Sequence, residues 1–432
     1  MITATGSDKV QNNGGLQQSD GAWQKRPVGK TYKVLKIAPT SFFSDYGCHV
    51  RIYEESRILM EMGNSVTICT YHTGQDVKCL DIQRAVNTPW RKSVQVGSSL
   101  HKVYYDLLLS LKVAQIAAKT KPDLIHAHLH EGALIGYPIS KALGIPLIFD
   151  FQGSLTSEML DHGFIKRDSL MFAPLRFLES VINRMPDIII TSSHNASNVL
   201  MKEFNYPASK VLTLADSVDT NFFKPRCELS SPQQLEDMKE KLNIPKDKYL
   251  VAYLGLLARY QGTISLMEAA KIMLKKGLPV HFLVMGYPGE DAYRSLAREM
   301  GIDQHVTFTG QISYLQAPYY LALADIAVSP KISETEGNGK LLNYMAMGLP
   351  TVAFDTPVAH EILGDLGIYA RKGDSEHLAE SLELLLEDKG AAEERGGLLR
   401  QRAIEKFSWD STGLLLQEVY NSLCGSLRPG SG

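Results

Sequence analysis

The residues most able to do chemistry are crowded between Ser329 and Val358, in SPKISETEGNGKLLNYMAMGLPTVAFDTPV. Gly337 and Gly339 allow a backbone to approach a ligand closely. A helix is expected to start beside them, with Leu341, Leu342, Tyr344 and Met345 as its buried stripe. The free N–H groups and dipole of its first turn favour a phosphate. Lys340 adds a full positive charge. Glu334 and Glu336 are placed to hold a sugar or ribose hydroxyl. A tight turn with a solvated acidic face would use the same residues, so the motif alone leaves both readings open.

A second group lies in the first half. His126, His128 and His130 alternate, which predicts one face of an extended strand end. Three imidazoles so spaced suit a metal, but no paired Asp or Cys cluster accompanies them in the sequence, and packing is the competing reading. Gly47-Cys48-His49-Val50-Arg51 opens a helix. His49 and Arg51 either face an anionic acceptor or stand in solvent at the helix start. Arg91, Lys92, His101 and Lys102 surround small residues that could cradle a phosphate. Phe164, Ile165, Met171, Phe172 and Phe177 mix with Lys166, Arg167 and Arg176. That composition suits an interfacial surface, or an ordinary amphipathic helix.

These groups need a scaffold. A chain of 432 residues suggests two or three domains. Its 45 Lys+Arg and 47 Asp+Glu give a net charge of -2, which argues against a nucleic-acid binder held by bulk electrostatics. Five cysteines with no CxxC point to reduced thiols rather than a disulfide framework or zinc cage. No apolar run reaches the length of a membrane span. The first residues carry no apolar core and read as a disordered tail rather than a secretory signal.

Apolar strands alternate with helical periodicity along the chain, which predicts right-handed βαβ units and parallel sheets. Strands are expected at 32–38, 65–70, 123–126, 146–151, 187–191 and 210–214, with a helix at 47–62. Residues 216–248 break the rhythm and read as a linker with one polar helix. Strands then resume at 249–254, 280–285, 306–309, 325–329 and 350–354. Helices are expected at 375–386, 391–406 and 409–423. The implied domains are 31–215 and 249–406, flanked by tails at 1–30 and 424–432. The helix at 407–423 is a candidate to cross back to the first domain. A ligand is expected in the cleft between two such halves.

The segment ETEGNGKLLNYMAMGLPTV resembles the E-G-x-G…E-A-M-A-x-G-x-P-V block of the family 4 retaining glycosyltransferases, which have the GT-B fold. The resemblance covers nearly the whole chain after the tail. It is carried also by KVLKIAPTSFFSDYGCHV, KPDLIHAHLHEGALIG, PDIIITSSHNASNVL, VDTNFFKP, YLGLLARYQG, HFLVMG, VTFTG and FSWD. It implies two Rossmann-like α/β domains facing across a cleft. It implies a hexosyltransferase that moves sugar from a nucleotide-sugar donor to an acceptor hydroxyl with retention.

Three departures stand out. The two family glutamates are separated by seven residues. Aligned on Glu336-Gly337, the second slot is Tyr344; aligned on Met345-Ala346, it is Asn343. The family's Arg and Lys in the glycine loop are replaced by Leu256 and Gln261, leaving Arg259 as the cation of that loop. Gln152 stands where the family often has a histidine.

The resemblance therefore implies Glu336, Arg259, Lys340 and Gln152 as catalytic residues. It implies donor contacts from Glu334, Gly337, Asn338, Gly339, Leu341, Asn343, Gly255 and Gly286. Acceptor contacts are implied at Gly47, His49, Arg51, His130 and Lys102. No metal or other cofactor is expected. The acceptor is expected to be a sugar, lipid-linked or phosphate-bearing. The enzyme is expected in the cytoplasm, with peripheral contact to the inner face of the membrane. The departures leave other readings open: a non-catalytic carbohydrate or nucleotide binder on a degenerate GT-B scaffold, or a GT-B enzyme such as a nucleotide-sugar epimerase.

Overall fold

The computed structural model describes residues 29–44, 47–87, 101–161, 164–333 and 337–426; for residues 101 and 102 only the helical backbone is described. The apolar runs form two parallel sheets, because the crossover after each strand carries the chain back to the end at which that strand began. The first sheet holds β1 (Lys33–Ala38), β2 (Ser65–Thr70), β3 (Asp81–Arg84), β4 (Leu124–His128), β5 (Leu147–Phe151), β6 (Ile188–Thr191) and β7 (Val211–Thr213). Its order is β3-β2-β1-β4-β5-β6-β7. The second holds β8 (Tyr249–Leu254), β9 (Val280–Met285), β10 (Val306–Phe308), β11 (Ile326–Ser329), β12 (Thr351–Phe354) and β13 (Ile368–Ala370). Its order is β10-β9-β8-β11-β12-β13.

The strand order reverses between β1 and β4, and again between β8 and β11. Ligand crevices in open α/β sheets form at such reversals, beyond the carboxyl ends of the strands. The helices that position the site are α1 (Gly47–Glu61), α2 (His101–Thr120), α3 (Leu129–Leu143), α4 (Phe172–Asn183), α5 (Gly339–Ala346) and α6 (Trp409–Ser426). Helices cover both faces of the sheets, so β4 and β5 are buried along their whole length.

Every expected strand is present, with ends shifted by no more than two residues. β3 and β13 were not expected. Both are edge strands of three or four residues, and DIQR is too polar and too short to show a period. The segment after residue 216 carries two helices rather than one, Arg226–Leu229 and Pro232–Lys241. Ser231 and Gln234 form a reciprocal capping box at the start of the second.

The chain crosses between the two halves twice. The outgoing segment runs through Asp216 and Val218. The returning segment runs through Phe407 and Ser408 into α6. Val218 N–H donates to Phe407 O at 2.8 Å, and Val218 bridges Ser408 in parallel. α6 then packs on α1 of the first half. Asn64 donates to Gln417 at 2.8 Å, and Tyr32 O–H donates to Asn421 at 2.8 Å.

Candidate active site

On the C-terminal side, glycines bring three loops together. Gly255 follows β8 and Gly286 follows β9. A Cβ on Gly286 would lie 2.2 Å from Gly255 O, so the loops touch backbone to backbone and only glycine fits. A Cβ on Gly255 would lie 2.9 Å from Lys340 Nζ, so the ammonium of α5 rests against this junction. Lys340 Nζ donates to Gln261 Oε1 at 2.7 Å and lies 4.7 Å from the Tyr253 ring centroid. The ring face favours the cation electrostatically.

The loop into α5 is held from below. Buried Lys331 donates from Nζ to Gly337 O at 2.6 Å. The Asn338 side chain pairs with Ser329 Oγ at 3.1 Å, tying the loop to the end of β11. Leu341, Leu342, Tyr344 and Met345 are buried, as the helical period predicts. Leu341 is thus a core residue, and its N–H already donates to Asn338 O at 3.0 Å, so it does not contribute a donor contact through either group. Tyr344 is also core, its hydroxyl accepting from Leu254 N–H at 2.8 Å. Of the two candidate slots for the second glutamate, only Asn343 is left partly exposed. Gly339 is exposed at the first turn, and Arg259 is exposed on the short turn Arg259–Gln261. Glu334 and Glu336 lie outside the described residues.

On the N-terminal side, β1, β4, β5 and α1 meet in a buried ionic network. Lys36 Nζ lies 2.9 Å from Glu55, and Arg51 Nε lies 3.1 Å from Glu55 and 3.0 Å from Asp150. Arg51 also donates to Asp216 at 2.8 Å and to Leu214 O at 3.2 Å. Asp150 accepts from His128 Nδ1 at 2.8 Å and from Gln152 Nε2 at 2.9 Å. Burial alone would raise the Asp150 pKa, but Arg51 and His128 hold it well below the usual carboxylate range. Burial pushes the pKa values of both His126 and His128 down, so neither ring carries charge near neutrality. The two rings stack at 4.7 Å, and His126 Nδ1 meets the Tyr420 hydroxyl of α6 at 2.8 Å.

Glu55, His126, His128 and Asp150 bring ligand-capable atoms within 4.8 Å of one another. The two carboxylates that the sequence reading lacked are therefore supplied by the fold. Yet Lys36 and Arg51 already match both of them. Of the carboxylates around Arg51 only Asp216 is left over, so a dication would still leave net positive charge in a buried volume, at a cost of several kcal/mol. The donor set therefore fits an internal ion network better than a metal centre.

Three expected acceptor contacts sit elsewhere than expected. His49 is fully buried beside Thr40, accepts from Ser44 N–H at 2.8 Å, and has its pKa pushed by burial down to about 3. A neutral, enclosed ring cannot attract an anionic acceptor. Arg51 is 4% exposed and engaged by three carboxylates, so it does not face the acceptor either. His130 does not continue the strand face: β4 ends at His128, α3 begins at Leu129 (φ 61°), and His130 lies in its first turn. There it is buried against Phe149 and Phe151, 3.6 Å from Glu179. Gly47 is exposed at the start of α1. Arg91, Lys92 and the side chains of His101 and Lys102 lie outside the described residues.

The two sides meet where Asp216 reaches the loop at Gly337. A Cβ on Gly337 would lie 2.4 Å from Asp216 Oδ2. A small crevice opens here, lined by Ser192, Asp216, Gly337, Asn338, Glu361 and Phe407 among others. Asp150, Asp216 and Lys331 were all missed by sequence reasoning. The available signal was a charge inside an apolar strand, as in LIFDF, and a second lysine within the glycine-loop motif.

Known proteins place this arrangement. Residues 47–222 match the model described as Glycosyltransferase Family 4, and residues 234–405 match Glycosyl transferases group 1. The sulfoquinovosyl transferase of Arabidopsis thaliana is 25% identical over 400 residues, covering 90% of this chain and 73% of that protein. Sucrose-phosphate synthase from Thermosynechococcus elongatus superposes with a TM-score of 0.77 at 18% identity, over 91% of this chain and 99% of that one. The Anabaena protein HepE, solved with UDP and glucose, superposes with a TM-score of 0.74 at 18% identity, over 91% and 100%. With both halves matched and both sheets of the expected topology, the chain belongs to the family 4 glycosyltransferases and has their GT-B fold.

Proposed function

We propose that this glycosyltransferase moves a hexosyl group from a nucleotide-sugar donor to an acceptor hydroxyl, with retention of anomeric configuration. The observation that carries the reading is the junction of Gly255, Gly286 and Lys340. Bare backbone and one ammonium meet there, a few residues from the N-terminus of α5. That combination suits a diphosphate. HepE, which shares the fold, was solved with UDP and glucose.

Departure of a nucleoside diphosphate develops negative charge, and preorganised donors stabilise it. Lys340 supplies charge from α5, and exposed Arg259 supplies a second cation from the loop after β8 of the same half. Glu334 or Glu336 holds donor hydroxyls. Gln152, oriented by Asp150, holds a hydroxyl of the transferred sugar but cannot act as a base. No metal is required for the transfer in this scheme.

The acceptor is proposed to be lipid-linked or phosphate-bearing. α2 exposes Val103, Leu107 and Leu111 in one stripe, and nearby α4 exposes Phe177, Leu178 and Val181. Both helices pack on α3, and exposed Lys166, Arg167 and Arg184 flank the α4 side. No helix among the described residues is long and apolar enough to cross a membrane. An apolar stripe with basic flanks suits peripheral contact with an anionic lipid surface.

The test is a thermal-shift panel of UDP-, GDP- and ADP-sugars, since a ligand that binds only the folded state raises the melting temperature. The stabilising donor then goes into a transfer assay with NMR assignment of the product anomer. An inverted product overturns retention. Binding without transfer or hydrolysis favours the non-catalytic reading.

A further inference from the structure

Arg51 is the one guanidinium among the described residues that touches both β5, which Gln152 follows, and the segment facing the donor loop. Its Nε meets Asp150 at 3.0 Å, and Asp150 holds Gln152 at 2.9 Å. Its Nη1 meets Asp216 Oδ1 at 2.8 Å, while Asp216 Oδ2 abuts Gly337 so closely that no Cβ fits between. Leu214 O takes a further N–H, which fixes the guanidinium plane. A planar fork with several fixed donors can hold two carboxylates at a set angle, and an ammonium cannot.

We propose that Arg51 is a positioning residue for sugar transfer: it couples the seating of the donor loop at Gly337 to the orientation of Gln152 across the domain boundary. This rests on the reading of Gln152 and the Gly337 loop as parts of the transfer site. Arg51 touches no substrate in this scheme. It acts through Asp216 on one side and Asp150 on the other. Burial opposes charge on Asp216 and raises its pKa, and Arg51 is the group that draws it back toward the ionised form. A loop that seats a donor thus leans on a carboxylate whose charge and place depend on Arg51.

Amide hydrogen exchange tests this without any substrate. The variants are Arg51→Lys and Asp216→Asn, with Lys36→Met as a control that breaks the Lys36–Glu55 pair of the same network. Residues 337–346 should exchange faster in Arg51→Lys and Asp216→Asn by roughly tenfold or more, the loss expected of one charge-assisted hydrogen bond. Lys36→Met should leave that segment at the wild-type rate. No change in the two test variants, or an equal rise in the control, overturns the proposal. Kinetics on the donor found above gives the second readout. Arg51→Lys should lower kcat well beyond any change in donor KM, and unchanged kcat overturns the proposal. If exchange responds as expected but the wild type transfers sugar from none of the donors, the functional reading fails while the coupling stands.

Discussion

Lys340 Nζ donates a 2.7 Å hydrogen bond to Gln261 Oε1, at the loop position where the family pattern carries a lysine. The cation has not vanished from the site. It is held from the facing helix, and the amide that replaces the loop lysine orients it. Gln261 is itself buried, so its oxygen is a fixed acceptor.

Lys340→Ala should lower kcat by roughly 10²–10³-fold, as loss of one charge-stabilising donor does elsewhere. Gln261→Leu should cost less, because the ammonium remains but loses its guide. Arg259→Ala separates two schemes in the same kinetic series. A large loss supports a clamp closed from both sides; wild-type turnover places the stabilisation on α5 alone.

Glu336→Gln keeps shape and removes charge. Turnover is expected to fall far more than stability. Should Glu334→Gln be the inactive variant instead, the register of the acidic loop shifts by two residues. Full activity in both would make this loop a structural turn.

Gly337→Ala and Gly339→Ala form a matched pair. The first Cβ would press on Asp216, which Arg51 pins, whereas nothing lies within 4 Å of the second. Overpacking of this kind costs about 1–3 kcal/mol. Chemical denaturation should show that loss for Gly337→Ala and near wild-type stability for Gly339→Ala.

His49 predicts an acid-side loss of stability. Its folded pKa is about 3, below the ordinary value of 6.5. The unfolded chain therefore takes up a proton that the folded one refuses. Stability from this group is complete above about pH 6.5 and falls as pH drops toward 3, by up to about 1.4 kcal/mol per unit. Melting curves between pH 7.5 and 5 should slope less in His49→Gln than in the wild type. Equal slopes would show that the ring is not held neutral.

The exposed stripes predict co-sedimentation with anionic vesicles that weakens as salt rises. Leu107→Glu with Phe177→Glu should abolish it while leaving transfer to a soluble acceptor intact. Failure to bind anionic or neutral vesicles, with good activity on a plain soluble sugar, rejects a membrane-borne acceptor.

The parallel sheets were legible because short apolar runs such as YLVAYL and VHFLVM repeat between helical stretches. The glycine junction was not: Gly255 and Gly286 were named only through the family resemblance, and their contact joins loops that follow different strands. Nor was the buried network. Lys36, Glu55, His126 and Asp150 come from four separate elements, and only the strand order β1-β4-β5 makes them neighbours. The histidines misled for a related reason. Alternation assumes that a strand continues, and the turn at Leu129 ends it one residue before His130. His49 and Arg51 looked like exposed helix-start residues, and nothing local says that the loop at Thr40–Ser44 encloses the first or that Asp150, Leu214 and Asp216 enclose the second.

The double crossing at Val218 and Ser408 has a mechanical consequence. One tether between two bodies would leave three rotations free. Two ribbons bonded side by side resist torsion and swivel, and bend easily only about the line that joins them. The halves of this enzyme are thereby expected to open like a book. The faces carrying Gln152 and Lys340 must then return to the same alignment in every cycle, whichever ligand arrives first.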